Sequence, residues 1–403
     1  MYNEHYSKQA REPMPILTAF PTQYNSPAFF STHLDDLAHA LIVGPPGAGK
    51  TVFINFLLSQ FRKYPGGRAY VFDKDNSCRI TTLIQGGSHI NLMAAENRGR
   101  MNPYALLGVR DSAGNLVHFG WLLQFTIYLL ESLSETRLSA ELKEYDEVEN
   151  ALSRVATFEP ALWRLSTLSG QWNDKLKSRI SPWVAGQDRG HFFDNATDSF
   201  EFSDFTTIEM GTLLERDQIA AVAVLDYAVY RISQSLSDDS TAPTVIYIEE
   251  VWFMLRNPQF EAIIENWVRV LRKKNAMLWF ATQALAELAG SNISAAILNS
   301  VPTRIYCANE EARSEQNYKL YTADFGLNDT QVEQIQKAQR KTNYLLVQGS
   351  FSRMVWARFE PTILACLRSD KLALKLFARW YAQRETQPDW QLHYIEEICN
   401  ETI

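Results

Sequence analysis

The sequence predicts an α/β protein with a mostly parallel central sheet flanked by helices and interrupted by an inserted all-helical segment. Three observations carry that prediction. First, His39–Val43 is a short apolar run, followed by a Gly/Pro turn and an apolar-periodic stretch, Thr51–Tyr64. Pro65-Gly66-Gly67 ends that stretch, and Arg68–Phe72 is a second short run that stops at Asp73. Strand, crossover helix and strand make a βαβ unit, whose strands run parallel with a right-handed connection. Second, Phe119–Leu133, Ser139–Phe158, Pro160–Leu168 and Gln171–Trp183 carry apolar residues at helical spacing with few strand signals between them. Third, strands and helices alternate regularly from Thr244 onward, the pattern of a resumed parallel sheet.

The remaining elements follow from the same periodicities. Residues 1–35, rich in Pro, Tyr, Ser and Asn, predict a loop-dominated entry with an edge strand or two. Phe200–Ile208 alternates as a strand does, and Arg216–Leu236 reads as a long helix with Ile219, Val222, Ala223 and Tyr230 near one face. Beyond it come strand Thr244–Ile248, helix Gln259–Lys274, strand Met277–Ala281, helix Ile293–Asn299, strand Thr303–Cys307 and helix Asp329–Lys337. Asn343–Val347 and Arg353–Phe359 predict an antiparallel pair around Gly349-Ser350, and helices fill the chain from Pro361. The expected organisation is an extension over 1–35, a first core segment over 36–115, the helical insertion over 116–190, a second core segment over 191–370, and closing helices over 371–403.

Composition narrows the functional classes. The 403 residues are 46% hydrophobic and 21% charged, the balance of a globular protein. The longest apolar stretch, Trp121–Leu130, is too short to cross a bilayer and contains Gln124 and Thr126. The polar start shows no signal peptide, so a cytosolic location is expected. A net charge of −7 gives no global attraction to nucleic acid. Cys78, Cys307, Cys366 and Cys399 lie too far apart for a metal-ligand spacing and read as reduced thiols.

The chemistry concentrates at two places. Gly44-Pro45-Pro46-Gly47-Ala48-Gly49-Lys50-Thr51 fits G-x-x-x-x-G-K-[ST] between a strand and a helix. Its glycines let backbone N–H groups turn around phosphate oxygens at the positive end of the helix. Gly44, Gly47, Ala48, Gly49, Lys50, Thr51 and Val52 are therefore expected to bind ATP. Lys50 is expected on the β- and γ-phosphates and the Thr51 hydroxyl on Mg²⁺. Val245-Ile246-Tyr247-Ile248-Glu249-Glu250 is an apolar strand ending in two carboxylates. The first suits the metal, through a water because Glu is longer than Asp; the second, Glu250, suits the base that activates water. The competing account is a strand running into an acidic helix cap.

Gln283, after Phe280-Ala281-Thr282, is placed to sense the γ-phosphate and the lytic water. Asp73-Lys74-Asp75 either braces the site or caps a turn. An arginine acting from a neighbouring subunit has Arg272, Arg304 and Arg313 as candidates, with Arg304 preferred. Phe359-Glu360-Pro361 offers flat apolar faces for an adenine ring or a plain strand-to-helix junction.

With these residues placed, the chain resembles the large ATPase of type IV secretion and conjugation systems, the TrbE/CagE type. The resemblance runs in consistent order over residues 30–370. It is carried by His39–Gly44, Val71–Asp75, Met101-Asn102-Pro103, Phe193-Asp194-Asn195 with Asp198, Glu249-Glu250-Val251-Trp252, Val270–Lys273, Ala281-Thr282-Gln283 and Pro302–Tyr306. It implies a RecA-like P-loop NTPase with an inserted helical subdomain, corresponding to the C-terminal motor, so that the start is expected to be a domain boundary. It further implies ATP and Mg²⁺ as cofactors, a hexameric assembly, and other secretion-system subunits at the bacterial inner membrane as partners. The work energised would be pilus assembly and substrate transfer across the envelope. Glu249 departs from the family's Asp. A HerA/FtsK-like DNA translocase or coupling protein shares the loop, the paired carboxylates and the glutamine, and a P-loop scaffold without hydrolysis is a third class.

Overall fold

The computed structural model of the chain describes residues 2–10, 13–34, 37–94, 101–134, 136–141, 143–236, 242–251, 255, 258–283, 285–290 and 294–401. They form two compact units. The first comprises Met1–Ile90, Ser203–Glu209 and Leu236–Ile403; the second comprises Asn91–Phe202 and Met210–Ser235.

The first unit is built on a nine-stranded sheet. Its strands are β3 (Ala40–Val43), β4 (Arg68–Asp73), β5 (Ser88–Asn91), β6 (Phe205–Glu209), β7 (Thr244–Ile248), β8 (Ala276–Thr282), β9 (Thr303–Cys307), β10 (Asn343–Gln348) and β11 (Phe351–Trp356), in the order β11-β10-β9-β3-β8-β7-β4-β6-β5. From β9 through β6 every pairing is parallel; β10 and β11 close the edge antiparallel. Strands β3, β7 and β8 are buried along their whole length, so they read as continuous Val, Ile, Leu and aromatic runs rather than alternating ones. The helix Lys50–Phe61 lays Phe53, Ile54, Leu57, Leu58 and Phe61 into the cluster that holds Ala40, Ile42, Val71, Val245 and Trp279. Buried His39 ties β3 to its neighbours: Nδ1 accepts from Leu278 N at 2.9 Å, and Nε2 faces the Val268 carbonyl at 3.1 Å. The closing helices Pro361–Leu367, Lys371–Tyr381 and Trp390–Asn400 pack Phe377, Trp390, Tyr394 and Ile398 around Ile80 of the helix Arg79–Ile84.

The structure differs from the sequence expectations in several places. The strands of the entry segment, β1 (Thr18–Pro21) and β2 (Pro27–Phe30), pair only with each other and form a separate sheet, preceded by the helix Glu4–Ala10. Strand β5 and the helix Arg79–Ile84 give no sequence signal because each is too short to establish a period. The helical unit is wider than 116–190, since it spans Asn91–Phe202 and Met210–Ser235. The helix Gln218–Ser235 accordingly belongs to it and not to the second core segment expected over 191–370.

The second unit is held by polar ties around an aromatic core. Asn102 donates from its backbone to Asp198 and from Nδ2 to the Trp163 carbonyl, and its Oδ1 accepts from Tyr104 N. Asp194 accepts from Ser166 N and Ala185 N, and Asp198 binds Arg231 and the Tyr227 hydroxyl. Trp121 stacks on Tyr230 with ring centroids 4.0 Å apart. No helix among the described residues is long and apolar enough to cross a membrane.

Asp226 lies in this unit with Trp121 Nε1 at 3.4 Å as its hydrogen-bond donor. Burial pushes its carboxyl up to about 6, with the indole pulling the other way. The folded unit therefore holds this proton more tightly than the unfolded chain does, and stability is lost as pH rises from the unfolded value through about 6. Asp226→Asn removes that slope. Urea denaturation should show the variant gaining roughly 2–3 kcal/mol over the parent at pH 8 and almost nothing at pH 4.

Candidate active site

The C-terminal ends of parallel strands are where an α/β sheet binds ligands, because helix N-termini and connecting loops converge there. Strand β3 delivers Gly44–Lys50, β8 delivers Gln283, β7 delivers Glu249 and Glu250, and β4 delivers Asp73. The order β3-β8-β7-β4 places the four ends side by side.

The loop after β3 owes its shape to close approaches. Gly47 and Gly49 have φ of 74° and 98°, a region that L-residues avoid. A Cβ on Gly49 would lie 2.5 Å from Tyr344 Oη and 2.8 Å from Lys341 Cα; one on Gly44 would lie 2.5 Å from Cys307 Cβ. The Tyr344 hydroxyl donates to Gly49 O at 3.1 Å, and its ring stacks on Phe53 at 4.2 Å. Lys341 N donates to Ala48 O at 2.9 Å. The loop is thereby clamped from β10. Beside it opens a cavity of about 690 Å³ lined by Gly47, Gly49, Lys50, Thr51, Lys341, Arg358, Phe359 and Arg368 among others. A Cβ on Gly47 would meet nothing within 4 Å, so the backbone there faces open space. A cradle of this kind, with a threonine hydroxyl and carboxylates nearby, fits Mg²⁺-nucleotide, since Mg²⁺ takes oxygen ligands.

Lys50 and Glu250 meet in an ion pair of 2.5 Å between Nζ and Oε1, with both side chains almost fully buried. The second oxygen of Glu250 accepts from Gln283 N at 3.3 Å. Glu250 itself has φ of 50°, a costly conformation for a glutamate and one found where a site dictates the backbone. Cys307, beside the loop, stays a thiol: burial pushes it up to about 12, against a smaller opposing pull from Lys50.

Glu249 is turned the other way. Its Oε2 accepts from Ser77 Oγ at 2.5 Å and from Lys74 N at 3.3 Å. Asp73, buried, accepts from Lys74 N, Ser77 Oγ and Cys78 N. Burial, then the charges of Glu249 and Glu209, hold its carboxyl well above the usual range. Glu209 at the end of β6 accepts from Asp75 N and Asn76 N. Asp73 thus both caps the 74–78 turn and meets Glu249 through Ser77, so the two readings left open by the sequence coexist. Glu209 escapes a sequence reading because β6 carries only one acidic residue at its end, which gives no pattern.

Other expected residues fall elsewhere. Arg304 donates to Phe325 O at 2.8 Å and to Leu298 O at 2.7 Å. Within its own chain it staples these two carbonyls, and the expected contact with a neighbouring subunit is a matter between chains. Arg313 pairs with Asp329. The side chain of Arg272, and Trp252, lie outside the described residues. Phe359 lines the cavity and packs on Phe56 with centroids 4.8 Å apart.

No protein-family model matches the chain. It is 27% identical over 376 residues to a probable conjugal transfer protein TrbE of Sinorhizobium fredii, covering 92% of this chain and 54% of that protein. It is 29% identical over 339 residues to the type IV secretion system protein virB4 of Bartonella henselae, covering 82% of this chain and 41% of that protein. The chain therefore spans about half the length of the curated relatives it matches. Among solved structures, VirB4 of Thermoanaerobacter pseudethanolicus matches with a TM-score of 0.65 at 17% identity, covering 86% of this chain and 97% of that one. The conjugative coupling protein TrwB matches with a TM-score of 0.52 at 10% identity, covering 80% and 86%. TrwB has also been solved with ADP and Mg²⁺, a structure that matches with a TM-score of 0.50 at 12% identity, covering 80% and 86%. These likenesses establish the P-loop NTPase fold.

The clamp on the loop predicts unequal costs for two glycine substitutions. Gly47→Ala carries only the left-handed penalty, about 1–2 kcal/mol. Gly49→Ala adds overpacking against Tyr344 and Lys341, a further loss of roughly 1–3 kcal/mol. Urea denaturation of the two variants checks the order.

Proposed function

Starting from a chain homologous over most of its length to TrbE and VirB4 proteins, we propose that it is the ATP-hydrolysing motor portion of a type IV secretion or conjugation ATPase. The observation that supports this reading most is the buried ion pair between Glu250 and Lys50, the latter lining a cavity with Gly47, Gly49 and Gln283. In this reading Lys50 is the phosphate-binding cation and Glu250 the water-activating carboxylate.

Hydrolysis in this site proceeds by exchange of partners. ATP enters with its phosphates on the backbone N–H groups of residues 47–52, and Lys50 turns to the β- and γ-phosphates. Thr51, and through a water the Glu249 oxygen not bound by Ser77 and Lys74, would hold Mg²⁺, which would shield the charge on the phosphate oxygens. Glu250, released from Lys50 but still tied to Gln283 N, accepts a proton from the water that attacks the γ-phosphorus. The bond to the bridging oxygen breaks, and ADP and phosphate leave. Gln283, adjoining both groups, transmits the presence of the γ-phosphate to β8. The apolar face of Phe359 suits the adenine ring. Arg304 is the arginine that would act on a neighbouring subunit's site, exchanging its present bonds to the carbonyls of Leu298 and Phe325 for the phosphates there.

The work so energised is pilus assembly and substrate transfer, in a hexameric assembly with other secretion subunits at the cytoplasmic face of the bacterial inner membrane. A ring DNA translocase shares the fold of TrwB and is the reading to be excluded.

Lys50→Ala should lose nucleotide binding or turnover. Glu250→Gln should bind ATP normally and hydrolyse it on the order of 10²–10⁴ times more slowly, the usual worth of a general base. Full turnover by Glu250→Gln would remove the assigned role. Steady-state hydrolysis should be indifferent to added DNA; strong stimulation would select the translocase.

A further inference from the structure

We propose that Lys341 is a positioning residue for the nucleotide, a second cation that grips the portion of the phosphate chain common to ATP and ADP. The proposal rests on the nucleotide site proposed above and adds a ligand that the phosphate-loop pattern does not contain.

Four observations place it there. The Lys341 main chain is fixed to the loop, with its N–H on Ala48 O at 2.9 Å and its Cα 2.8 Å from where a Gly49 Cβ would stand. Lys341 lines the same cavity as Gly47, Gly49, Lys50 and Thr51. Its side chain is exposed and has no ion-pair partner among the described residues, whereas nearby Arg340 pairs with Glu310 and Arg368 with Asp370.

The fourth observation is conformational. Lys341 has φ of 64°. The other described non-glycine residues with positive φ are Asn25, Asp75, Asn76, Lys143, Glu250 and Asn275. Asn and Asp tolerate this region because their short side chains bond locally. Lys143, Glu250 and Lys341 have no such reason. Lys143 precedes the helix Glu144–Val155 of the second unit, while Glu250 is paired with the cavity-lining Lys50 and Lys341 lines the cavity itself. A glycine or asparagine would sit more easily at position 341, so a lysine held there against its preference points to a use for the ammonium.

Charge supplies that use. Before nucleotide enters, the Lys50 charge is neutralised by Glu250 at 2.5 Å. The cavity-lining cations left without an ion pair among the described residues are then Arg358, whose guanidinium lies over the Trp356 ring at 4.8 Å, and Lys341 beside the loop, which offers a compact ammonium with three donors on a flexible stem. Because its anchor is Gly49 and Ala48, and not the Glu250 side of the loop, it meets the phosphates that ADP retains. It acts on binding, equally before and during the chemical step, and so changes KM rather than kcat.

The test is Lys341→Asn, which suits the left-handed backbone and removes the ammonium, with Lys341→Gly as a second variant of the same backbone tolerance and Lys341→Arg as the conservative one. Binding of ADP and of ATP is measured by calorimetry, alongside steady-state hydrolysis and melting without nucleotide. Lys341→Asn and Lys341→Gly should weaken ADP and ATP alike by about tenfold, the worth of one charged hydrogen bond. KM should rise by the same factor, kcat should stay within about twofold if binding is uniform, and Lys341→Arg should recover most of the affinity. Unchanged ADP affinity in both neutral variants would overturn the proposal. So would a loss confined to ATP with a fall in kcat, which would make Lys341 a γ-phosphate group. Failure of the parent chain itself to bind ADP would remove the site reading beneath it, and is distinguishable because it appears without any substitution.

Discussion

The site depends on one buried ion pair. Lys50 and Glu250 approach to 2.5 Å where both side chains are nearly inaccessible. Neither charge would be tolerable there alone, because an uncompensated charge in that setting costs about 3–5 kcal/mol. Each therefore holds the other until something better charged arrives. In the proposed mechanism a triphosphate answers that description for Lys50, and its arrival would free the Glu250 carboxylate. Binding and activation would then be coupled through a single contact.

Everything around the pair serves to bring it about. Strands β3 and β7 are separated only by β8, so the loop after one and the carboxylates after the other face each other across Gln283. The helix Lys50–Phe61 is buried along its sheet face, which fixes the base of the Lys50 side chain. Strand β10 runs antiparallel to β9 and carries Tyr344 onto the loop, and Lys341, two residues before the strand, bonds Ala48. On the other side the acidic group of Asp73, Glu209 and Glu249 is spent on the amides and hydroxyl of the 74–78 turn, and fixes where Glu249 points.

The features legible in the sequence are those with a strong local signature. The strand-loop-helix around Gly44–Thr51 and the apolar run into Glu249-Glu250 both announce themselves within ten residues. Lys341 cannot be seen in this way, because its place beside the loop comes from the pairing of the strand that follows it and from a positive φ, neither of which the local pattern encodes. Arg304 stands out by its position in a shared motif, yet its partners, the carbonyls of Leu298 and Phe325, are six and 21 residues away. The helix Gln218–Ser235 is legible as a helix but not as a member of the second unit; its periodicity reports a buried face without saying what buries it. Asn102, Asp194 and Asp198 stand out in the resemblance and prove to be ties within the helical unit. A shared motif can mark packing as readily as chemistry.

The most direct measurement of the central claim is a crystal structure of the chain with Mg²⁺ and a non-hydrolysable ATP analogue. The account predicts Lys50 Nζ on β- and γ-phosphate oxygens and Glu250 detached from it, facing a water in line with the γ-phosphorus. An analogue seated on the loop with the Lys50–Glu250 pair still closed would contradict it.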